Sequence, residues 1–163
     1  LARRRRVSPV QFLAEQALVA HLPDEGPAEA LRLLAAKVAA LAAPDAAPRV
    51  EQLALAREKE FGTGIGHGVA IPHVRLDHLR NPILAYGHSA EGLDWDAPDA
   101  EPVHHVFFLA SATGAEDLHV QILAQIARAM ARAENRIRLA DVPDAPALFA
   151  ALKEVLTPPA DAR

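Results

Sequence analysis

Apolar and polar positions change period along this chain, and the changes mark its elements. Val10–Ala20 is mostly apolar and fits a strand or a short helix. His21–Pro27 reads as a turn, with Pro27 suited to the first turn of a helix. Ala28–Ala43 is predicted helical: Leu31, Leu34, Val38 and Leu41 recur at helical spacing, while Arg32 and Lys37 fall elsewhere. After the break at Pro44–Pro48, Arg49–Glu60 predicts a second helix with Val50, Leu53 and Ala54 inward. Val69–Ile71 predicts a short strand with Pro72 at its end. Asn81-Pro82 marks a turn, and Ile83–His88 fits a strand. Val103–Ala110 is apolar enough for a buried central strand, followed by a loop over Ser111–Ala115.

Glu116–Arg132 has the clearest helical signal. Leu118, Ile122, Ile126 and Met130 form one stripe, widened by Leu123 and Ala127. Glu116 and Asp117 stand at its start and Arg128 and Arg132 near its end, as the helix dipole prefers. Ala145–Leu156 predicts a last helix, with Leu148, Phe149, Leu152 and Val155 inward. Helices alternating with strands, without internal repeats, point to a single α/β domain over 10–157. A basic arm precedes it over 1–9, and a frayed tail follows over 158–163.

Composition narrows the function classes. The 163 residues suit one domain with a real core, and at 4% aromatic content that core must be built from aliphatic side chains and alanine. A net charge of −4 argues against a general nucleic-acid binder. The chain has no cysteine, so disulfides, zinc–thiolate sites and cysteine nucleophiles are excluded, and a reducing cytoplasm is the expected setting. No apolar run is long enough for a membrane helix, and no signal peptide is visible. The chain opens on leucine, which is compatible with a cut point. Arg3–Arg6 follows, read as a solvated arm, with a basic collar beside a membrane segment or a tag remnant as alternatives.

Half of the 8 glycines sit at alternate positions in Gly62–Gly68, within "GTGIGHGVAIPH". The stretch is neither a dinucleotide fingerprint, because Val69 takes the third glycine position, nor a P-loop, because no Gly-Lys precedes Ser or Thr. In an extended segment, period-two glycine leaves one face bare for close approach by backbone or ligand. His73 then follows the rigid Pro72, posed for nucleophilic work with an unperturbed pKa of about 6.5. His119, in the first turn of the Glu116 helix, lies where backbone N–H groups and the dipole favour a phosphoryl group. Arg57, near the end of the second helix, adds a charged donor. Together these residues suit phosphoryl transfer through a phosphohistidine.

The segment "LAREKEFGTGIGHGVAIPH" resembles the active-site segment of type-2 (fructose/mannitol) enzyme IIA of the bacterial phosphotransferase system, nearest to its nitrogen-regulatory branch. "GLDWDAPDAEPVHHVFFLA" and "DLHVQILAQIARAM" are similar to two further motifs of that family, so the likeness extends from about Val10 to Leu156. It implies a mixed β-sheet sandwiched between helices. It also implies that His73 accepts phosphate from the carrier HPr, beside His119 and with support from Arg57. Thr63, Gly64, Gly66 and His67 would line the pocket. The group would pass to a IIB partner in a sugar system, or signal to a regulated target protein in the nitrogen branch. Departures from the family pattern surround the site: Phe61 and Val74 in place of glycine, Gly62 in place of serine, and His67 in place of asparagine. The lost hydroxyl at Gly62 and the bulk of Val74 are expected to bear on transfer.

The remaining candidates read as structural. His67 is expected to face away from the glycine strip, His104 and His105 to point to opposite faces, and His21, His78 and His88 to lie on the surface. No helical His-x-x-x-His occurs, so neither a metal nor another cofactor is called for. Asp94, Asp96, Asp99 and Glu101 fit a solvated acidic loop better than a hydrolytic carboxylate pair. The leading reading is a phosphoryl carrier. Its alternatives are a cytoplasmic sensor module tethered to a membrane transporter, and a binding domain that kept the fold without the chemistry.

Overall fold

The structure, a computed structural model, describes residues 7–159. The arginine run and the last four residues lie outside that range. Six strands form one mixed sheet: β1 (Leu13–Val19), β2 (Gly64–Gly66), β3 (Val69–Ala70), β4 (His73–Leu76), β5 (Ile83–Leu93) and β6 (Val103–Ala112). Five helices cover its faces: α1 (Pro27–Ala42), α2 (Ala47–Glu60), α3 (Glu116–Met130), α4 (Ala133–Ala140) and α5 (Ala145–Val155). The strand order is β1-β5-β6-β3-β2, with β4 also paired to β6. β5 and β6 are antiparallel, whereas β1 runs parallel to β5, and β3 and β4 run parallel to β6.

The apolar run of β6 is continuous because helices bury both of its faces. Val106, Phe108 and Ala110 meet Leu31, Leu34 and Val38 of α1 and Val50 and Ala54 of α2. The alternate residues Phe107 and Leu109 meet Ile122, Ile126 and Met130 of α3, with Leu139, Leu148 and Leu152 behind. Truncating one of the wholly buried leucine, isoleucine or methionine side chains among these to alanine would cost about 2–5 kcal/mol. The stripe read on α3 is the one that is buried.

Several boundaries differ from the sequence reading. Ser111 belongs to β6, not to a loop. β5 runs on past His88 to Leu93, and the antiparallel pairing with β6 supports the extension. Helix α4, which was not predicted, is short and polar overall, with Leu139 its one fully buried residue. Helix α5 is capped by Asp144, whose carboxylate accepts from the Ala147 N–H at 2.9 Å.

The glycine-rich stretch is not one extended strip. β2 and β3 form an antiparallel hairpin with Gly66 opposite Val69. The two-residue turn, His67 and Gly68, has φ of 58° and 73°. Positive φ at both turn residues is the type I′ requirement, which favours Asn-Gly and tolerates histidine at the first position. His67 therefore occupies a turn position, and the bare-face reading does not describe this segment.

Candidate functional site

The site begins with an interrupted strand. β3 and β4 lie along the same edge of β6 in one register: Val69 pairs with His105, Ala70 with Val106, His73 with Leu109 and Val74 with Ala110. Pro72, which has no N–H to donate, marks the interruption, while its carbonyl still accepts from the Leu109 N–H at 3.0 Å. His73 thus opens the second half of this line instead of ending the first. Alternation sends Val74 into the core with α1 and α2, and puts His73 and Arg75 on the opposite face, toward α3. Val74 consequently adds its bulk to the core and not to the space beside the imidazole.

His73 is half-buried, and its Nδ1 lies 2.8 Å from the Ile71 carbonyl oxygen. A carbonyl only accepts, so Nδ1 carries the hydrogen and Nε2 the lone pair. Burial lowers the pKa of His73, and the positive charges of Arg57 and Arg75 lower it further, against the Ile71 bond and Glu58. The ring is therefore neutral at neutral pH, with a free nucleophilic nitrogen.

His119 approaches this ring edge to face, with centroids 5.0 Å apart and planes at 67°. It stands in the opening turns of α3, whose N-cap, Ala115, offers no side-chain oxygen to the first N–H groups. Its Nδ1 is hydrogen-bonded to the hydroxyl of the buried Ser111. Burial, then His73 and Arg75, push its pKa down to about 4. No buried side-chain nitrogen or oxygen among the described residues lacks a partner. The Nε2 atoms of His73 and His119 bond to none of those residues, and neither is wholly shut off from solvent.

Arg57 donates from Nη1 to the Phe61 carbonyl at 2.7 Å, and its guanidinium lies 5.8 Å from the Phe61 ring centre. It reaches His73 through its field and not through a hydrogen bond. Arg75 donates to Glu116 at 3.1 Å, with both side chains substantially exposed. The sequence reading assigned no role to Arg75 or Ser111. Strand alternation from His73 was the available signal for Arg75. Ser111 lies opposite Arg75 in the parallel register, which is visible only once β6 is extended to include it.

The other pocket residues pack against the loop after β5. The Thr63 hydroxyl donates to Glu58 at 2.6 Å and accepts from the Trp95 indole at 3.2 Å. A Cβ on Gly64 would lie 3.0 Å from the Ala97 Cβ, so the bare position allows this close approach. Asp99 accepts from the His67 N–H at 2.9 Å and lies beneath Gly66. Thr63, Gly64, Gly66 and His67 thus brace a hairpin, and none of their polar groups bonds to His73 or His119 among the described residues. Gly62 is exposed, with only Glu58 near an added Cβ.

Elsewhere, His88 is buried, contrary to its reading as a surface residue, because it faces His105 across the β5–β6 ladder. His105 is buried against the Tyr86 hydroxyl at 2.8 Å, while His104 bonds the Ser89 carbonyl. Asp94, Asp96, Asp99 and Glu101 are all exposed. No group of three or more metal-binding side chains occurs among the described residues.

Residues 14–155 match a family model described as "Phosphoenolpyruvate-dependent sugar phosphotransferase system, EIIA 2". A nitrogen regulatory protein of Bradyrhizobium diazoefficiens is 34% identical over 151 residues, 93% of this chain and 96% of the relative. A fructose-specific EIIABC component of Bacillus subtilis is 39% identical over 85 residues, which are 52% of this chain but 13% of that far longer protein. The crystal structure of the nitrogen regulatory protein IIA-Ntr from Neisseria meningitidis superposes with a TM-score of 0.80 at 26% identity, covering 88% of this chain and 97% of that one.

Proposed function

From the premise that this chain belongs to the EIIA type 2 family of the phosphoenolpyruvate-dependent sugar phosphotransferase system, we propose that it carries a phosphoryl group on His73. The observation that carries the reading is the pairing of His73, its Nδ1–H held by the Ile71 carbonyl, with His119 at 5.0 Å. The donor is a phosphohistidine protein, HPr by family resemblance. The His73 Nε2 lone pair attacks phosphorus, and a new N–P bond forms. The donor's N–P bond breaks, and its electron pair returns to the donor ring, which leaves as neutral imidazole because its other nitrogen carries a hydrogen; the positive charge passes to the His73 ring, now bearing hydrogen on Nδ1 and phosphorus on Nε2. His73 keeps its Nδ1 hydrogen throughout, so the step needs no separate base.

The dianion formed on His73 is stabilised by groups already in place before the reaction. Arg57 and Arg75 supply positive charge, and the uncapped start of α3 supplies backbone donors. Thr63, Gly64, Gly66 and His67 act at one remove, by holding the hairpin that leads into Pro72 and His73. Phe61, Ile65 and Val120 are exposed apolar side chains on the same three segments as Arg57, the hairpin and His119. They fit the docking of a partner protein over the site.

The next acceptor is a IIB domain if the chain serves sugar uptake, or a regulated target protein if it serves nitrogen control. Relatives of both names match the sequence. The working setting is the cytoplasm, where HPr and phosphoenolpyruvate meet. Among the described residues no helix is long and apolar enough to cross a membrane. The test is the intact mass of the protein after incubation with phosphoenolpyruvate, enzyme I and HPr. A gain of one phosphoryl group in the wild type, absent in His73→Ala, is the expected result. No gain in either would overturn the carrier reading and leave a sensor or binding module.

A further inference from the structure

The hydroxyl of Ser111 lies in the wholly buried end of β6, and its one hydrogen-bond partner among the described residues is Nδ1 of His119. A buried hydroxyl hydrogen left without an acceptor carries the desolvation cost of an unmade bond. Two arrangements are open to this pair. If His119 donates from Nδ1, the serine oxygen accepts and its own hydrogen has nowhere to go. If the serine donates, Nδ1 accepts with its lone pair and every polar atom of the pair is satisfied.

We infer that Ser111 is a positioning residue that fixes His119 as its Nε2–H tautomer, aiming a hydrogen-bond donor at the group borne by His73. The inference rests on the carrier reading for its purpose but not for its geometry. The two imidazoles then have complementary forms. The Ile71 carbonyl leaves His73 with a bare Nε2 that can attack, and the Ser111 hydroxyl leaves His119 with an Nε2–H that can donate to a phosphoryl oxygen. The opposite tautomer would turn a lone pair toward the dianion and repel it. The carbonyl and the hydroxyl belong to the two neighbouring chains of one parallel ladder, Ile71 just before β4 and Ser111 in β6. The sheet that places the two rings therefore also sets their hydrogens.

The direct test is nitrogen NMR of histidine side chains in the unphosphorylated protein near pH 7.5, in wild type, Ser111→Ala and Ser111→Thr. The expected result is a single His119 tautomer with a pyrrole-type Nε2 in the wild type. Ser111→Ala should shift the signals toward a tautomer mixture, and Ser111→Thr, which keeps the hydroxyl, should restore the wild-type pattern. An Nδ1–H tautomer in the wild type, or an unchanged pattern in Ser111→Ala, would overturn the inference. A backbone amide spectrum of each variant establishes that it is folded. The companion measurement is the hydrolysis half-life of the phosphoprotein, expected to fall by about tenfold in Ser111→Ala, less than the ~10²-fold for outright loss of a donor because the donor tautomer is still partly populated, and to recover in Ser111→Thr. An unchanged half-life would remove the catalytic consequence and so overturn the assignment of Ser111 as a positioning residue. Failure of HPr to phosphorylate the wild type would count against the carrier reading alone, because the tautomer is read on the free protein.

Discussion

The imidazoles of His73 and His119 meet edge to face, 5.0 Å between centroids, and both are held neutral at neutral pH by burial and by cationic neighbours. Two neutral rings differ in what they offer, because each has its Nδ1 tied to a different kind of partner. Replacing His119 by alanine should therefore leave His73 able to accept phosphate while removing a donor to the product. The expected outcome is a phosphoprotein that still forms but whose rate of formation drops by about 10²-fold. Stopped-flow transfer from phospho-HPr reads this rate. Equal rates in the two proteins would remove His119 from the reaction.

Arg75 couples the two rings to the surface. It contributes to the lowered pKa of both histidines while paired with Glu116. Arg75→Ala should raise the pKa of His73 and of His119, read by proton NMR titration, since a nearby positive charge is lost. Stability should change by less than about 1 kcal/mol, because an exposed ion pair contributes little. A thermal melt alongside the titration separates the two effects.

Acid sensitivity should arise at the other end of the sheet. His105 is buried against Tyr86 and faces His88, and burial followed by the fields of His88, His104 and Arg136 lowers its pKa to about 3. His88 is lowered as well, by burial and then by His104 and His21. In the unfolded chain these rings take up protons near pH 6.5. The unfolded state thus binds more protons below that pH, and stability present above about 6.5 is lost as pH falls toward 3. Each such group contributes a slope of at most about 1.4 kcal/mol per pH unit. Urea midpoints between pH 7.5 and 4.5 should fall accordingly. His105→Gln, uncharged throughout, should flatten the trend, with His119 keeping part of it.

The hairpin turn gives a local test. His67 has φ of 58° at the first turn position, where asparagine is the better residue. His67→Asn should match or raise the thermal midpoint, whereas His67→Val, β-branched at positive φ, should cost on the order of 1–3 kcal/mol. The Asp99 carboxylate bonds the backbone N–H at this position, so either variant keeps that contact. Equal midpoints for the two variants would mean that the turn is not under backbone constraint.

The elements with strong periodicity were legible in the sequence: α3 from its stripe, α1 from its leucines, and β6 from its continuous apolar run. The histidine pair was legible in part: His73 and His119 are 46 positions apart, and both stood out by residue type and place in the chain before the family pattern set them side by side. Three features were hidden for physical reasons. Alternate glycines fit either one extended strip or a hairpin, and the His-Gly turn pair is a weaker signal than Asn-Gly. Ser111 looked like the start of a loop because nothing local shows that β4 extends the ladder beside it. His88 looked exposed because its burial depends on β1, β5 and β6 meeting, not on its neighbours in the chain.

The interrupted edge strand acts as a ruler. From Val69 to Leu76 every paired residue keeps the same offset of 36 positions from its partner in β6, straight across the break at Pro72. Adding or removing one residue between Gly68 and His73 would rotate the imidazole to the core side and bring Val74 or Pro72 to the solvent-facing edge. A substitution on this segment leaves its register in place, but a change of its length does not. The His73 imidazole is thus located by counting along the backbone, and loops elsewhere can lengthen or shorten without moving it.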